Sequence, residues 1–229
     1  MNEYIKNPLS KEKRYLILAI YFIGFQLLFP LIIAGILALF GFDNSMSLNF
    51  WSYFLTLIIV VVLAKSLYEN EPMPKLVSML KVVGICMLGT IVCSIIISFL
   101  IYIISGNVTS DNQNELNKLI SNSNILSYSF MVVIMGPIVE ETVFRGVVFR
   151  SLRSKMSFIK AALIAGLLFG FIHVWASIFT GNLTDLFYTF QYAAIGFFFA
   201  YAYEKTHSIK GAVLMHIIYN AFGLLVNLL

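Results

Sequence analysis

Long apolar runs separated by short polar turns constrain the fold of this chain more than any other feature. They lie at about residues 15–40, 50–68, 82–105, 125–149, 158–179, 183–203 and 209–228. A bilayer-spanning helix needs roughly 20 predominantly apolar residues, and a backbone in lipid must satisfy its own hydrogen bonds. With 60% hydrophobic residues and a mean hydropathy of +0.90, a soluble fold is excluded. The runs predict an all-α, polytopic bundle of about seven transmembrane helices.

The basic residues predict the orientation of this bundle. Of the 15 Lys and Arg residues, all but Lys118 and Arg145 fall before the first run or in loops on that same side. Because Lys and Arg concentrate in cytoplasmic loops, we expect the N-terminus inside and the C-terminus outside. The sequence has no basic stripe concentrated on one soluble face, so we do not expect nucleic acid as a partner. The expected setting is the lipid bilayer of a cell membrane, and the Ile-, Asn- and Lys-rich composition suggests a bacterium.

Polar segments divide the chain into two predicted regions. Residues 1–124 hold three spans and their loops without a recognised motif, including the charged loop ENEPMPK at residues 69–75. Residues 106–124 are rich in Asn and Ser, and only 115–120 have weak helical character. Residues 125–229 hold the other four spans, which we predict to form the functional core.

Three ionisable residues stand in the stretch GPIVEETVFRG of the fourth span: Glu140, Glu141 and Arg145. Charge within a membrane span is costly and indicates a functional site by default. His173 lies on the fifth span, and His216 and Asn220 lie on the seventh. At about 1.5 Å per residue, Glu140, His173 and His216 lie roughly 15, 22 and 12 Å from the cytoplasmic side. The depths are similar enough for one shared pocket.

Helical spacing suggests different roles for the two carboxylates. Glu141 and Arg145 are four residues apart and could pair, which leaves Glu140 free to face the histidines. The reverse assignment remains open. Pro137 cannot donate to the carbonyl of Val133, so it should kink the helix beside Glu140.

Two further spacings concern the fifth and seventh spans. Phe169 precedes His173 by four residues, and His216 precedes Asn220 by four, so each pair shares a helix face. The small residues Ala162, Gly166 and Gly170 form a stripe that predicts close helix packing.

These residue types suit the activation of water. A carboxylate can act as general base, and Glu140, His173 and His216 also match a catalytic zinc ligand set with an open position. The Asn220 amide could stabilise an oxyanion. The soluble metalloprotease motif HExxH is absent. Proton-coupled transport uses similar residues and remains an alternative at this point.

Three motifs carry a resemblance to a known family. EETVFR at 140–145, FGFIH at 169–173 and HIIYN at 216–220 resemble the CPBP family, which includes type II CAAX prenyl endopeptidases and bacterial Abi or bacteriocin-processing proteins. The resemblance covers about residues 125–225 and implies an intramembrane protease of the metalloprotease type.

The resemblance also implies roles for the site residues. Glu140 would activate water together with His173, while His216 and Asn220 would stabilise the oxyanion. Glu141 would complete the catalytic set, supported by Arg145, Phe169 and Pro137. A Zn²⁺ cofactor held by Glu140, His173 and His216 is an expectation from the family, as is a peptide or membrane-protein substrate.

Three functions follow from the sequence as competing hypotheses. The first is an intramembrane endopeptidase that depends on Glu140, His173 and His216. The second is a non-enzymatic membrane immunity, scaffolding or regulatory protein with the same fold, which would tolerate loss of Glu140. The third is a proton-coupled transporter. Inverted repeats would favour this function, but the sequence displays none. The substrate, the cleavage site and the oligomeric state stay open.

Overall fold

Helices make up all the regular structure that the computed structural model describes, which is residues 7–41, 45–122 and 125–228. The long ones are α1 (Lys11–Leu39), α2 (Ser45–Leu63), α4 (Leu76–Ser105), α5 (Asp111–Asn122), α6 (residues 125–153), α7 (Phe158–Val174), α9 (Tyr188–Thr206) and α10 (Ile209–Leu228), and the short ones are α3 (Lys65–Asn70) and α8 (Ser177–Thr180). The predicted all-helical class is therefore confirmed.

Three of these helices, α1, α4 and α10, are long and apolar enough to cross a bilayer, and α7 and residues 47–63 of α2 are shorter apolar helices. Helices lie at all seven predicted positions. The outward faces carry exposed apolar side chains, such as Leu31 at 72% and Leu88 at 66% exposed. Water disfavours so much apolar surface, and lipid accommodates it. The chain is a helical membrane protein.

The boundaries of the fifth and sixth runs differ from the prediction. The fifth helix ends at Val174 rather than residue 179, and the sixth begins at Tyr188 rather than residue 183, after a 3-10 turn at Leu183–Phe187. The reason is Asp185, a buried carboxylate that accepts hydrogen bonds from Asp111 N and Ser177 Oγ. Those bonds need a turn at this point.

Helix α5 is longer than the sequence predicts, because the sequence indicates weak helical character only over 115–120. The helix spans Asp111–Asn122 because Ser110 caps its start. Ser110 Oγ accepts from Gln113 N (3.1 Å), and Ser110 O accepts from Asn114 N (3.0 Å). Such a cap satisfies backbone N–H groups in the first turn, which have no acceptor within the helix itself.

Helices α7 and α9 pack at backbone distance, as the small-residue stripe predicts. A Cβ at Gly170 would lie 2.2 Å from Thr189 O, and one at Gly166 would lie 2.7 Å from Ala193 O. Only glycine permits this approach. The contact brings the end of α7, which carries His173, against the start of α9.

One buried cluster joins both halves of the chain. Tyr21 of α1 packs edge-on against Phe144 of α6, with ring centroids 5.6 Å apart, within a core that also includes Val60 and Phe199. The predicted boundary at residue 124 stays a prediction. The contacts show that residues from the first half support the helix that bears both glutamates.

Candidate active site

The backbone of α6 changes register beside the two glutamates. Stretches of π-helix, Phe130–Met135 and Thr142–Phe149, flank an α-helical turn at Gly136–Glu141. π-helical turns concentrate at functional sites. Here they turn Glu140 and Glu141 toward α7, α9 and α10.

Pro137 contributes an acceptor to this site. In the π-helical register, Gly136 N donates to Met131 O, so the next carbonyl, Val132 O, faces the proline nitrogen, which has no hydrogen. Asn220 Nδ2 of α10 donates to Val132 O instead, at 2.9 Å. The freed carbonyl is therefore that of Val132, one residue before the expected Val133, because the expectation holds for an α-helix and the backbone here is π-helical.

Glu141 and Arg145 form a buried ion pair, as their spacing predicts. Arg145 Nη1 donates to Glu141 Oε1 (3.0 Å), and Nη2 donates to Gly196 O (2.8 Å). The guanidinium carbon lies 4.8 Å from the centroid of the Phe169 ring. The two charged side chains are 1% and 0% exposed, so each depends on the other for compensation.

His216 lies between the two glutamates. Its Nδ1 is 2.8 Å from Glu141 Oε1, and its Nε2 is 4.0 Å from Glu140 Oε2. The contact with Glu141 fixes the orientation of the ring. The sequence spacing indicated the Arg145 pairing of Glu141 but not this second partner.

His173 reaches Glu140 from the opposite side. Its Nδ1 is 2.7 Å from Phe169 O, one helical turn earlier, and its Nε2 is 3.9 Å from Glu140 Oε2. A carbonyl oxygen can only accept, so Nδ1 carries the hydrogen and Nε2 presents a lone pair in the neutral ring. The predicted convergence of Glu140 with both histidines is confirmed, while their chemical roles stay predictions.

These side chains line one cavity of about 260 Å³. Glu140, His173, His216, Asn220 and Phe169 all face it. Glu141 and Arg145 lie behind this layer, where they hold His216 and Phe169. Pro137 shapes the backbone and is outside the lining.

Two tyrosines at the site carry no sequence motif. Tyr53 of α2 lines the cavity together with Glu140. The ring of Tyr192 on α9 stacks on His173, with centroids 4.7 Å apart and planes at 20°. The chain has 12 tyrosines, and no spacing singles out these two.

The donor atoms of the site suit a zinc ion in type. Each histidine directs Nδ1 to an oxygen acceptor and Nε2 toward Glu140, which is the arrangement typical of metal-ligating histidines. The Oε2–Nε2 separations of 3.9 and 4.0 Å exceed the roughly 3.3 Å between two ligands of one tetrahedral zinc. Within the described ranges, no group of three or more His, Cys, Asp or Glu side chains has metal-binding geometry.

A family model described as "Type II CAAX prenyl endopeptidase Rce1-like" matches residues 122–222. That stretch contains all three motifs and every side chain that converges on Glu140 from α6, α7 and α10. Residues 122–222 are therefore similar to this family. The resemblance to the CPBP family is thereby confirmed over the motif-bearing stretch.

A curated protein of Bacillus subtilis (strain 168), named "Putative membrane peptidase YdiL", is 35% identical over 95 residues. The matched stretch covers 42% of this chain and 35% of the length of that protein. No solved structure matches the chain. Residues before the motif-bearing stretch, including Tyr53, lie outside the family match.

Proposed function

We propose that this protein is a membrane endopeptidase in which Glu140 activates water to hydrolyse a peptide bond. The observation that carries the proposal is the cavity wall where Glu140 Oε2 lies 3.9 Å from His173 Nε2 and 4.0 Å from His216 Nε2. A water between these atoms can donate both hydrogens to acceptors. The family of the motif-bearing stretch supports the same chemistry.

The Nδ1 partners divide the roles of the two histidines. His173 donates to a neutral carbonyl, so it stays neutral and its Nε2 accepts from the water beside Glu140. His216 donates to the carboxylate of Glu141, which stabilises a positive charge on the ring. With a proton on Nε2, His216 becomes a donor for the oxyanion.

The charge balance of the buried cluster supports this protonation. Two ionised glutamates and Arg145 sum to one negative charge, which an apolar surrounding penalises. One added proton makes the cluster neutral. His216 is the ring that both carboxylates flank, so we assign the proton to it.

The reaction then follows in two steps. Glu140 takes a proton from the water, and the oxygen attacks the carbonyl carbon of the peptide bond. His216 and the second N–H of Asn220 stabilise the oxyanion. The C–N bond then breaks, and Glu140 returns its proton to the leaving nitrogen, which leaves a carboxylic acid and an amine.

If the site binds Zn²⁺, Glu140, His173 and His216 would hold it after small side-chain movements. A bound zinc lowers the pKa of its water toward 7 and polarises a carbonyl. Metal analysis of protein purified without chelator tests this part separately from cleavage. A zinc content near one per chain that His216→Ala abolishes would support it, and metal-free protein with full activity would contradict it.

We further propose seven membrane spans in a bacterial cell membrane, with the N-terminus inside. Ion pairs of Arg150 with Glu71 and of Arg153 with Glu204 gather three basic loops at one end of the bundle. Cysteine variants Ser154→Cys and Thr180→Cys test the orientation. A membrane-impermeant thiol reagent should label residue 180 but not residue 154 in intact cells.

Cleavage of a mixed peptide library, followed by mass spectrometry, tests the proposed activity. The wild type should produce new termini, and Glu140→Gln should lower the rate by about 10²–10⁴-fold because the general base is lost. Glu69→Gln, at an exposed carboxylate that pairs with Lys65, is the matched control. Full activity of the Glu140→Gln variant would contradict the proposal and favour an immunity, scaffolding or transport role.

A further inference from the structure

A polar segment covers the end of the cavity nearest His173. It comprises residues 107–118, that is, the loop after α4 and the first two turns of α5, and is called the roof below. Ser110, Asn112, Gln113 and Leu116 of the roof line the same cavity as Glu140. The roof therefore separates the site from the end of the bundle where α7 ends.

The first anchor of the roof is the turn between α8 and α9. Buried Asp185 accepts from Asp111 N (2.9 Å) and from Ser177 Oγ (2.7 Å). Asn182 Nδ2 donates to Asp111 Oδ2 (3.0 Å). These are polar contacts, whose net stabilisation is modest because water can replace them.

The second anchor is Tyr192, which touches both the roof and His173. Its hydroxyl lies 2.8 Å from Ser110 Oγ and accepts from Asn112 Nδ2 (3.1 Å). Its ring stacks on the His173 imidazole. A displacement of the roof is thereby transmitted to the histidine through one side chain.

The size of the cavity favours a movement of the roof when a peptide binds. At about 260 Å³, the cavity is below the range of roughly 300–1,000 Å³ for pockets that enclose a drug-sized ligand. An extended peptide with residues on both sides of the cleaved bond needs more room. Gly106, in the left-handed conformation (φ 72°), ends α4 directly before the roof, and a glycine permits a change of backbone direction at this point.

We propose that the roof is a lid that opens to admit an extended peptide, and that Tyr192 is a positioning residue that couples lid closure to the orientation of His173. The proposal rests on the proposed peptidase function for its substrate. The coupling means that His173 meets Glu140 in its working orientation only when the lid is closed over the peptide.

A reversible lock tests the lid. Asn107 Nδ2 lies 3.0 Å from Thr184 Oγ1 across the closed contact, so the double variant Asn107→Cys/Thr184→Cys places two thiols there. Oxidation should lower peptide cleavage at least about tenfold, and a reductant should restore it. The single variant Asn107→Cys controls for oxidation of Cys86 and Cys93. Equal rates for the oxidised and the reduced double variant, once the disulfide is verified by mass spectrometry, would overturn the lid.

Hydrogen–deuterium exchange tests the coupling without any need for activity. Tyr192→Phe keeps the stack on His173 but loses both roof contacts, so exchange of amides 111–118 should rise about tenfold. Tyr201→Phe, near the other end of α9, is the matched control. Unchanged exchange in Tyr192→Phe would overturn the role of Tyr192, whether or not the protein cleaves peptides.

Kinetics separates positioning from simple support of the fold. Tyr192→Phe should raise KM several-fold with little change in kcat, because lid closure weakens while His173 stays stacked. Tyr192→Ala should lower kcat as well. A wild type that cleaves no peptide would refute the proposed function and leave the exchange measurement to decide on the role of Tyr192. An active wild type with identical KM in Tyr192→Phe would refute the coupling alone.

Discussion

Two buried carboxylates of equal exposure, Glu71 and Glu140, have opposite surroundings. Each is 7% exposed. Glu71 Oε1 accepts from Arg150 Nη1 and from Tyr203 OH, and its Oε2 accepts from Ile209 N at the start of α10. Glu140 Oε2 instead faces two imidazole nitrogens at 3.9 and 4.0 Å across a cavity.

The difference shows which buried charge can do chemistry. Donors surround both oxygens of Glu71, so its carboxylate holds the fold and has no capacity left for a substrate. Glu140 Oε2 points at the lone pair of His173 Nε2, and a water or a substrate proton can complete that arrangement. Burial and charge alone would not distinguish the two residues; the partners of each oxygen do.

The largest expected effect is at Glu141. Like Glu71, it pairs with a buried arginine, and like Glu140, it faces a histidine of the site. Glu141→Gln removes the charge that pairs with Arg145 and orients His216. Cleavage should fall about 10²–10⁴-fold, and the free energy of unfolding should drop by about 3–5 kcal/mol because Arg145 stays buried without its counter-charge.

Peptide turnover and thermal unfolding in detergent measure both effects. Glu204→Gln, which breaks a partly exposed pair with Arg153, is the control and should change stability by less than about 1 kcal/mol. A Glu141→Gln variant that loses neither activity nor stability would show that the buried ion pair is dispensable.

Glu71→Gln should affect stability alone. The change leaves Arg150 buried without its carboxylate and weakens the cap of α10, so unfolding should become about 3–5 kcal/mol easier. Turnover per folded molecule should match the wild type. Denaturation monitored by tryptophan fluorescence measures the shift, and a variant with unchanged stability would remove the structural role that the comparison assigns to Glu71.

The next effect in size concerns the packing of α7 against α9. Gly170→Ala places a methyl group 2.2 Å from Thr189 O, and overpacking of this kind costs about 1–3 kcal/mol. Gly84→Ala is the matched control, because a Cβ there meets nothing within 4 Å. Thermal unfolding should separate the two variants; equal melting temperatures would contradict the close approach.

The smallest expected effect is at Tyr53. Tyr53→Phe removes a hydroxyl from the cavity that Glu140 lines, so turnover should fall about tenfold while the fold is kept. Tyr128→Phe, at a buried tyrosine of the same apolar cluster, is the control. Equal rates for the two variants would show that Glu140 needs no support from α2.

The sequence predicted the parts of the site that local spacing determines. The Glu141–Arg145 pair follows from one helical turn, and the convergence of Glu140 with His173 and His216 follows from similar depths. Contacts between residues that are far apart in the chain could not be predicted from local spacing. Glu71 stands in a charged loop that looks solvated, and Tyr53 and Tyr192 resemble the other tyrosines, because their partners lie more than 15 residues away in the chain.

The hydrogen-bond pattern of the helix backbone is the second feature that the sequence did not predict. At the end of a π-helical stretch an N–H bonds to the carbonyl five residues back rather than four, so the carbonyl freed by Pro137 is that of Val132. No sequence pattern announces such a stretch. The turn at Asp185 likewise depends on bonds from Asp111 and Ser177 rather than on its own neighbours.

The most direct test of the central claim compares Glu140→Gln with Glu71→Gln on two axes, peptide turnover and free energy of unfolding, in one detergent preparation. We expect Glu140→Gln to lose about 10²–10⁴-fold in turnover with near-wild-type stability. We expect Glu71→Gln to lose stability with wild-type turnover per folded molecule. If the two variants lose activity only in proportion to their unfolded fraction, Glu140 is a structural residue like Glu71, and the proposed chemistry is wrong.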